Sequence, residues 1–306
     1  MRFRSVVSLV VGVAIALPLF QCSSEVAPYP GGTPPGLVPQ MFAPGLVSSD
    51  QEDFWPAFSP DMTELYFTRR NPPQPANIMF MSYDGNRWLE PELAPFCVDL
   101  NDGTPAFSPD GNTLYFSSNR ILEEGPQSFE ASNIWKVTKT KTGWSEPEEL
   151  GPPVNSTSWE RSPTIARDGT MYFQSDIEGS LGRTDIYMAV FEKDQFAMPV
   201  NLGAAVNTAG VEANPCVAPD QSWLVFYSYG RADGFGGGDL YVSFKDSDGE
   251  WAPAVNLGRA VNSEAEENFP TLSPDGKYLF FSSTRGGKRS SDIYWVDAAV
   301  IETARP

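Results

Sequence analysis

Between Asp53 and Val296 the hydrophobic and polar positions run through the same order five times. An acid, two spacers and a proline lead into a short apolar run. A turn built on Asp follows, then a second apolar run ending in Ser, Thr or Arg, then a third that opens with Asp or Asn plus Ile or Leu. Two well-kept copies read Asp102-Gly103-Thr104-Pro105-Ala106-Phe107-Ser108-Pro109-Asp110-Gly111 and Glu267-Asn268-Phe269-Pro270-Thr271-Leu272-Ser273-Pro274-Asp275-Gly276. The prolines Pro56, Pro105, Pro163, Pro215 and Pro270 mark the register. Runs this short, bounded by Pro, Gly, Asp and Ser, predict strands, and no stretch after residue 21 keeps a helical period.

Within a copy the pattern predicts four strands. In the second, Ala106 to Ser108 form the first strand and Thr113 to Ser118 the second. Pro109-Asp110-Gly111 turns between them, with Gly111 free to take positive φ. Asn133 to Thr138 form the third strand, and Trp144-Ser145-Glu146-Pro147 begins the fourth. The aromatic there recurs as Trp88, Phe196 and Trp251 and is expected to pack between repeats. Repeats of about 40 to 60 residues, each with several short strands, predict an all-β, five-bladed β-propeller of four-stranded antiparallel blades. The repeat cores lie near 53–91, 102–147, 160–199, 212–253 and 267–296 within a propeller domain of residues 37–306. The last copy ends after its third strand. The segment from Pro39 to Pro56 has the same span as Pro253 to Pro270, so an N-terminal strand is expected to close the last blade and remove the free sheet edge.

Composition adds a location. Arg2 and Arg4 precede an apolar run from Val6 to Phe20, the layout of an export signal over residues 1–21. Leu19-Phe20-Gln21-Cys22 resembles a bacterial lipoprotein cleavage box, although Gln21 departs from the small residue of that pattern. The resemblance implies lipidation at Cys22, a flexible Pro- and Gly-rich tether over 22–36, and a place in the periplasm or at the outer membrane. The net charge is −18, and the first 21 residues hold two arginines and no acid. So acidic a surface argues against nucleic acid and suits a cation, a basic protein face, or simple solubility. Cys97 and Cys216 fall in units that are not neighbours and are expected to be buried small residues.

The repeat resembles that of TolB-type propellers, relatives of the WD-repeat family, over residues 39 to 296. Its marks are the Ser-Pro-Asp-Gly turns and the runs Leu114-Tyr115-Phe116-Ser117-Ser118, Leu279-Phe280-Phe281-Ser282-Ser283 and Asp185-Ile186-Tyr187. The resemblance implies a fold more than an activity, since such repeats serve binding proteins, envelope components and accessory domains of peptidases. An envelope protein or a small ligand is the expected partner, and the propeller is expected to be a monomer.

The candidate chemistry is carboxylate chemistry. The chain contains no histidine, which excludes a Ser-His-Asp triad, a Cys-His pair and any His-ligated metal. Asp53, Asp102, Glu160, Glu212 and Glu267 stand three residues before the register prolines, and ring symmetry is expected to gather them at one mouth of the axial channel. Arg69, Arg70, Arg120, Arg231 and Arg285 reach the same face. They suggest inter-blade ion pairs, or acids capping backbone amides. Function is sought where the repeats differ: in the loop Ile121 to Ser132 with Glu123 and Glu124, in Asp176 to Thr184, and in Gly230 to Gly238 with Asp233. Asp233 and Asp239 offer oxygens to Ca²⁺, although Asp239 more simply opens a third strand; no cofactor is expected otherwise. The reading is a non-catalytic binding or scaffold module of the envelope. The alternatives are a glycoside hydrolase of the arabinanase type, using two axial carboxylates, and a sugar- or cation-binding lectin-like protein.

Overall fold

A computed structural model describes residues 28–98, 100–120, 132–287 and 290–306. The expected signal segment, Cys22, Glu123 and Glu124 lie outside these residues.

Five antiparallel sheets follow one another around a ring. Blade 1 pairs Glu52–Phe58, Glu64–Arg70, Ala76–Ser82 and Glu92–Leu93 in chain order. Blade 2 pairs Asp102–Phe107, Thr113–Ser118, Asn133–Thr140 and Glu148–Glu149. Blade 3 pairs Glu160–Ile165, Met171–Ser175, Asp185–Ala189 and Val200–Asn201. Blade 4 pairs Val211–Val217, Trp223–Tyr229, Asp239–Phe244 and Val255–Asn256. Blade 5 takes Glu267–Leu272, Tyr278–Ser283 and Asp292–Asp297 from the end of the chain and Gln40–Met41 from its beginning. Gln40 lies opposite Trp295 and Met41 opposite Tyr294, so the expected closure by an N-terminal strand is present.

The fourth strands begin later than the sequence suggests. Trp144 pairs back on Lys139, closing a hairpin that extends the third strand, and the fourth strand starts beyond Pro147 at Glu148. The aromatics themselves sit where expected. Trp144 of blade 2 donates its Nε1–H to the Tyr66 hydroxyl of blade 1 at 2.9 Å. Phe196 of blade 3 meets Tyr115 of blade 2 at 6.4 Å, and Trp251 of blade 4 meets Tyr172 of blade 3 at 6.2 Å. Blade 5 has no such residue. There the chain turns into the short helix Ala299–Thr303, whose Val300 and Ile301 share a core cluster with Val225, the small residue that blade 4 carries in place of a tyrosine.

Each core cluster therefore lies between two neighbouring blades, and the second strands, covered on both faces, are buried almost throughout. The joint between blades 5 and 1 is aromatic: Phe42 contacts Phe280 at 4.9 Å and Trp295 at 5.2 Å. Tyr29 packs there too, 5.5 Å from Phe58 and 5.1 Å from Tyr278, and donates its hydroxyl to Asp275 at 2.7 Å. Within the segment expected as a tether over 22–36, Tyr29 thus packs in the joint between blades 5 and 1, while Gly31 to Pro34 are exposed.

Candidate functional site

All five repeated acids are brought to one end of the first strands, and all five are fully buried. Each closes a joint. Glu212 accepts the backbone N–H of Thr208 at 2.7 Å and its hydroxyl at 2.9 Å, and the Ser228 hydroxyl at 2.8 Å. Glu267 does the same with Ser263 and Ser283, Asp53 takes both donors of Ser49, and Glu160 takes both of Ser156 and the hydroxyl of Ser175. The carboxylate thus caps the loop that enters its own blade, as a buried anion must be hydrogen-bonded.

Four of the five also hold an arginine. Arg69 pairs with Asp53 at 2.6 Å, Arg120 with Asp102 at 2.9 Å, Arg231 with Glu212 at 3.3 Å and Arg285 with Glu267 at 3.0 Å. These pairs lie within a blade, not between blades as one expectation had it, because the acid is on the first strand and the arginine is on, or just past the end of, the second strand of the same sheet. Each guanidinium also donates to a carbonyl in the incoming linker, at Val47, Phe96, Val206 and Val261, and lies over Phe67, Phe116, Phe226 or Phe281. Arg70 instead pairs with Glu52. Blade 3 has no arginine in this place; Ile177 occupies it and packs on the cluster of Val154, Phe173 and Tyr187. Burial raises the pKa of Glu160 above the ordinary carboxylate value, against hydrogen bonds from Ser156 and Ser175 that lower it. Burial also raises that of Asp102, opposed by Ser118 and Arg120.

A second repeated position, five residues before each acid, clips the linker to the third strand of the preceding blade. Asn155, Asn207 and Asn262 each bond both the N–H and the carbonyl of one residue there, at Ile134, Ile186 and Leu240. Ser48 does so with Ile293. Cys97 fills this position between blades 1 and 2; its thiol makes a long contact to the Ile78 carbonyl, 3.7 Å, and also meets the Asp102 carboxylate. Burial pushes its thiol up to about 12, as it does for the enclosed Cys216, and both cysteines are free.

The variable loops are tied down as well. Asp239 opens its strand as expected and accepts the N–H groups of Phe235 and Gly236, while Asp233 accepts the Tyr241 hydroxyl at 2.8 Å. Gly236 and Gly238 are required: a Cβ would lie 2.0 Å from the Ala265 carbonyl oxygen and 2.3 Å from the Tyr227 ring. Asp176 accepts the Trp159 N–H at 2.8 Å. Backbone bonds from Glu212 to Thr184 and from Glu267 to Gly238 stitch the loops of one blade to the acid of the next. Among the described residues no group of acids and cysteines is arranged to hold a metal.

Every first strand bulges just after its acid, with positive φ at Trp55, Thr104, Ser162, Asn214 and Phe269. These residues fill the axis. Trp55 reaches across to the Pro105 carbonyl at 2.9 Å, Phe54 stacks on Phe269 at 4.6 Å, and Ser162, Asn214 and Asn268 form a chain of hydrogen bonds. The plug separates the acids from the open part of the axis.

That open part is a cavity of about 300 Å³ at the opposite end. The five register prolines form its wall and Trp55 its floor. Pro60, Pro109, Pro219 and Pro274, joined by Arg167 in blade 3, form its exposed rim. The lining is otherwise apolar or weakly polar, and among the described residues no Asp, Glu or Lys side chain contributes to it. The Thr271 hydroxyl in the wall has no hydrogen-bond partner among the described residues, whereas Ser108 and Ser273 are engaged by Asp110 and Asp275 of their own turns. Such a hollow accepts apolar groups and offers one guanidinium. Sequence reasoning took its prolines as register marks and missed Trp55 and Arg167. The signal was there, since Arg167 replaces the proline of an otherwise regular turn.

No protein-family model matches the chain, and no curated protein matches its sequence. Solved structures do. The native arabinanase Arb43A of Bacillus subtilis is 14% identical with a TM-score of 0.51, covering 81% of this chain and 94% of that one. A GH43 endo-arabinanase from Bacillus licheniformis is 13% identical with a TM-score of 0.52, covering 82% and 95%. TolB from Acinetobacter baumannii is 16% identical with a TM-score of 0.49; the likeness covers 82% of this chain but 55% of that longer one. At these identities the likeness shows the fold, a β-propeller.

Proposed function

We propose that this chain is an exported, lipid-anchored propeller of a bacterial envelope that binds an apolar ligand or protein segment in its axial cavity and does no chemistry on it. One observation carries the reading: the repeated acids are all buried in blade joints behind the axial plug, and among the described residues no carboxylate lines the cavity. Glycoside hydrolysis, which the names of the arabinanase neighbours bring to mind, needs two carboxyl groups facing the sugar roughly 5 to 10 Å apart. The binding end thereby moves from the acid-bearing face to the end with the Ser-Pro-Asp turns. Export and anchoring rest on the apolar run Val6 to Phe20 and on Leu19-Phe20-Gln21-Cys22.

Incubation with a panel of glycans that includes arabinan tests the absence of catalysis. No product is expected at any pH. Product formation that disappears in Glu160→Gln or Glu212→Gln would overturn it.

A further inference from the structure

The chain enters the propeller at the end that carries the cavity. The Pro28 carbonyl accepts the Trp88 indole N–H, and Tyr29 bonds Asp275, the residue after rim proline Pro274. Only Ser23 to Ala27 separate Pro28 from Cys22. Six peptide steps at 3.3 to 3.6 Å each reach about 20 Å at most. The first strands, at about 3.3 Å per residue, place the two ends of the ring roughly 20 Å apart as well. A lipid on Cys22 is thus within reach of the cavity end, with the body of the propeller standing beyond it.

We infer that the cavity-bearing end faces the membrane that holds the anchor, and that its occupant is an apolar protein segment with basic flanks presented from that membrane. The inference rests on the anchoring reading above. Five exposed aspartates, Asp61, Asp110, Asp168, Asp220 and Asp275, follow the rim residues one after another around the hollow, with Arg167 on the rim itself and Lys139, Lys141, Lys245 and Lys277 on the turns and hairpins outside it. Hydrogen bonds within their turns from Ser108 and Asn112 hold Asp110 below the usual carboxylate range, and bonds from Ser222 do the same for Asp220, so both stay anionic. Negative charge around an apolar hollow opposes the anionic headgroups of a bilayer and suits basic flanks on a protein.

Energy transfer on the full-length lipidated protein in vesicles tests the orientation. A donor is placed at Lys141→Cys, on a hairpin at the cavity end, or at Glu178→Cys, on a loop at the other, with an acceptor on the lipid headgroups. Stronger transfer from position 141 is expected, and the difference should shrink when a long Gly/Ser insert follows Ser23. Lipid found on Cys22 by mass spectrometry, with equal or stronger transfer from position 178, overturns the orientation and leaves the anchor standing. Cys22 without lipid overturns both. The unlipidated Cys22→Ser protein should not bind bare anionic vesicles; if it does, the occupant is the lipid surface and not a protein segment.

Discussion

Ile177 is the structural equivalent of Arg285: its N–H donates to Ser175 Oγ at 3.2 Å, as that of Arg285 donates to Ser283 Oγ at 3.1 Å. Four joints therefore hold an acid and an arginine, while blade 3 holds a buried acid beside an aliphatic side chain. The two kinds of joint should respond oppositely to removal of the acid's charge.

Glu212→Gln leaves the Arg231 guanidinium enclosed without its counter-ion, and breaking such a pair costs about 3 kcal/mol or more. Glu160→Gln strands no cation, and its amide can donate to the Ser156 or Ser175 hydroxyl while its oxygen accepts the Ser156 N–H. Urea titrations at pH 7.5 should show a large loss for the first variant and little or none for the second. Equal losses would mean that the missing arginine has no energetic consequence.

The pH dependence follows from the same carboxyl. Because the folded pKa of Glu160 is raised, the folded state binds its proton more tightly than the unfolded state does. Its contribution is thus most favourable below the unfolded value and is lost as pH rises through the folded one. Asp102 shifts in the same direction, so Glu160→Gln should lessen, not abolish, the fall in stability on raising the pH from the ordinary carboxylate range toward neutrality. Ile177→Arg, which restores the cation beside Val154, Phe173 and Tyr187, should also lessen it, and thermal melts across that range give the comparison.

At the clip position, Cys97→Asn should stabilise the protein by about 1 kcal/mol. It replaces the long thiol contact to the Ile78 carbonyl with the paired bonds that Asn155, Asn207 and Asn262 make. Denaturant midpoints of the two proteins decide the matter. Thiol titration adds a check: Cys216, fully enclosed and pushed up to about 12, should react only after unfolding.

Closure of the ring should be the most sensitive joint in the core. Phe42 is fully buried against Phe58, Phe280 and Trp295, and it belongs to the one blade assembled from both ends of the chain. Phe42→Ala should cost roughly 3–5 kcal/mol, with the loss read from urea unfolding curves.

The sequence made the ring legible because its information is periodic: the prolines, the Asp turns and the inter-blade aromatics each recur at one register. Blade count and the closing strand followed directly. The site was harder to read because repetition by itself does not separate a cap from a ligand group. Asp53 and its equivalents looked like a channel lining. What buries them is the bulge at Trp55 and its counterparts, a backbone feature with no residue signature, since Trp, Thr, Ser, Asn and Phe all take positive φ there. The cavity was hidden for a related reason: Pro56 and its equivalents serve the strand register and the cavity wall at once.

Cross-linking from the two ends of the ring tests the binding claim most directly. A photoreactive residue in place of Pro109, a rim position whose counterpart in blade 3 is Arg167, is compared in cells with one in place of Glu178 on the opposite end. Discrete adducts from position 109 and none from 178 are the expected result. Adducts from 178 alone would contradict it and return the binding role to the acid-bearing face.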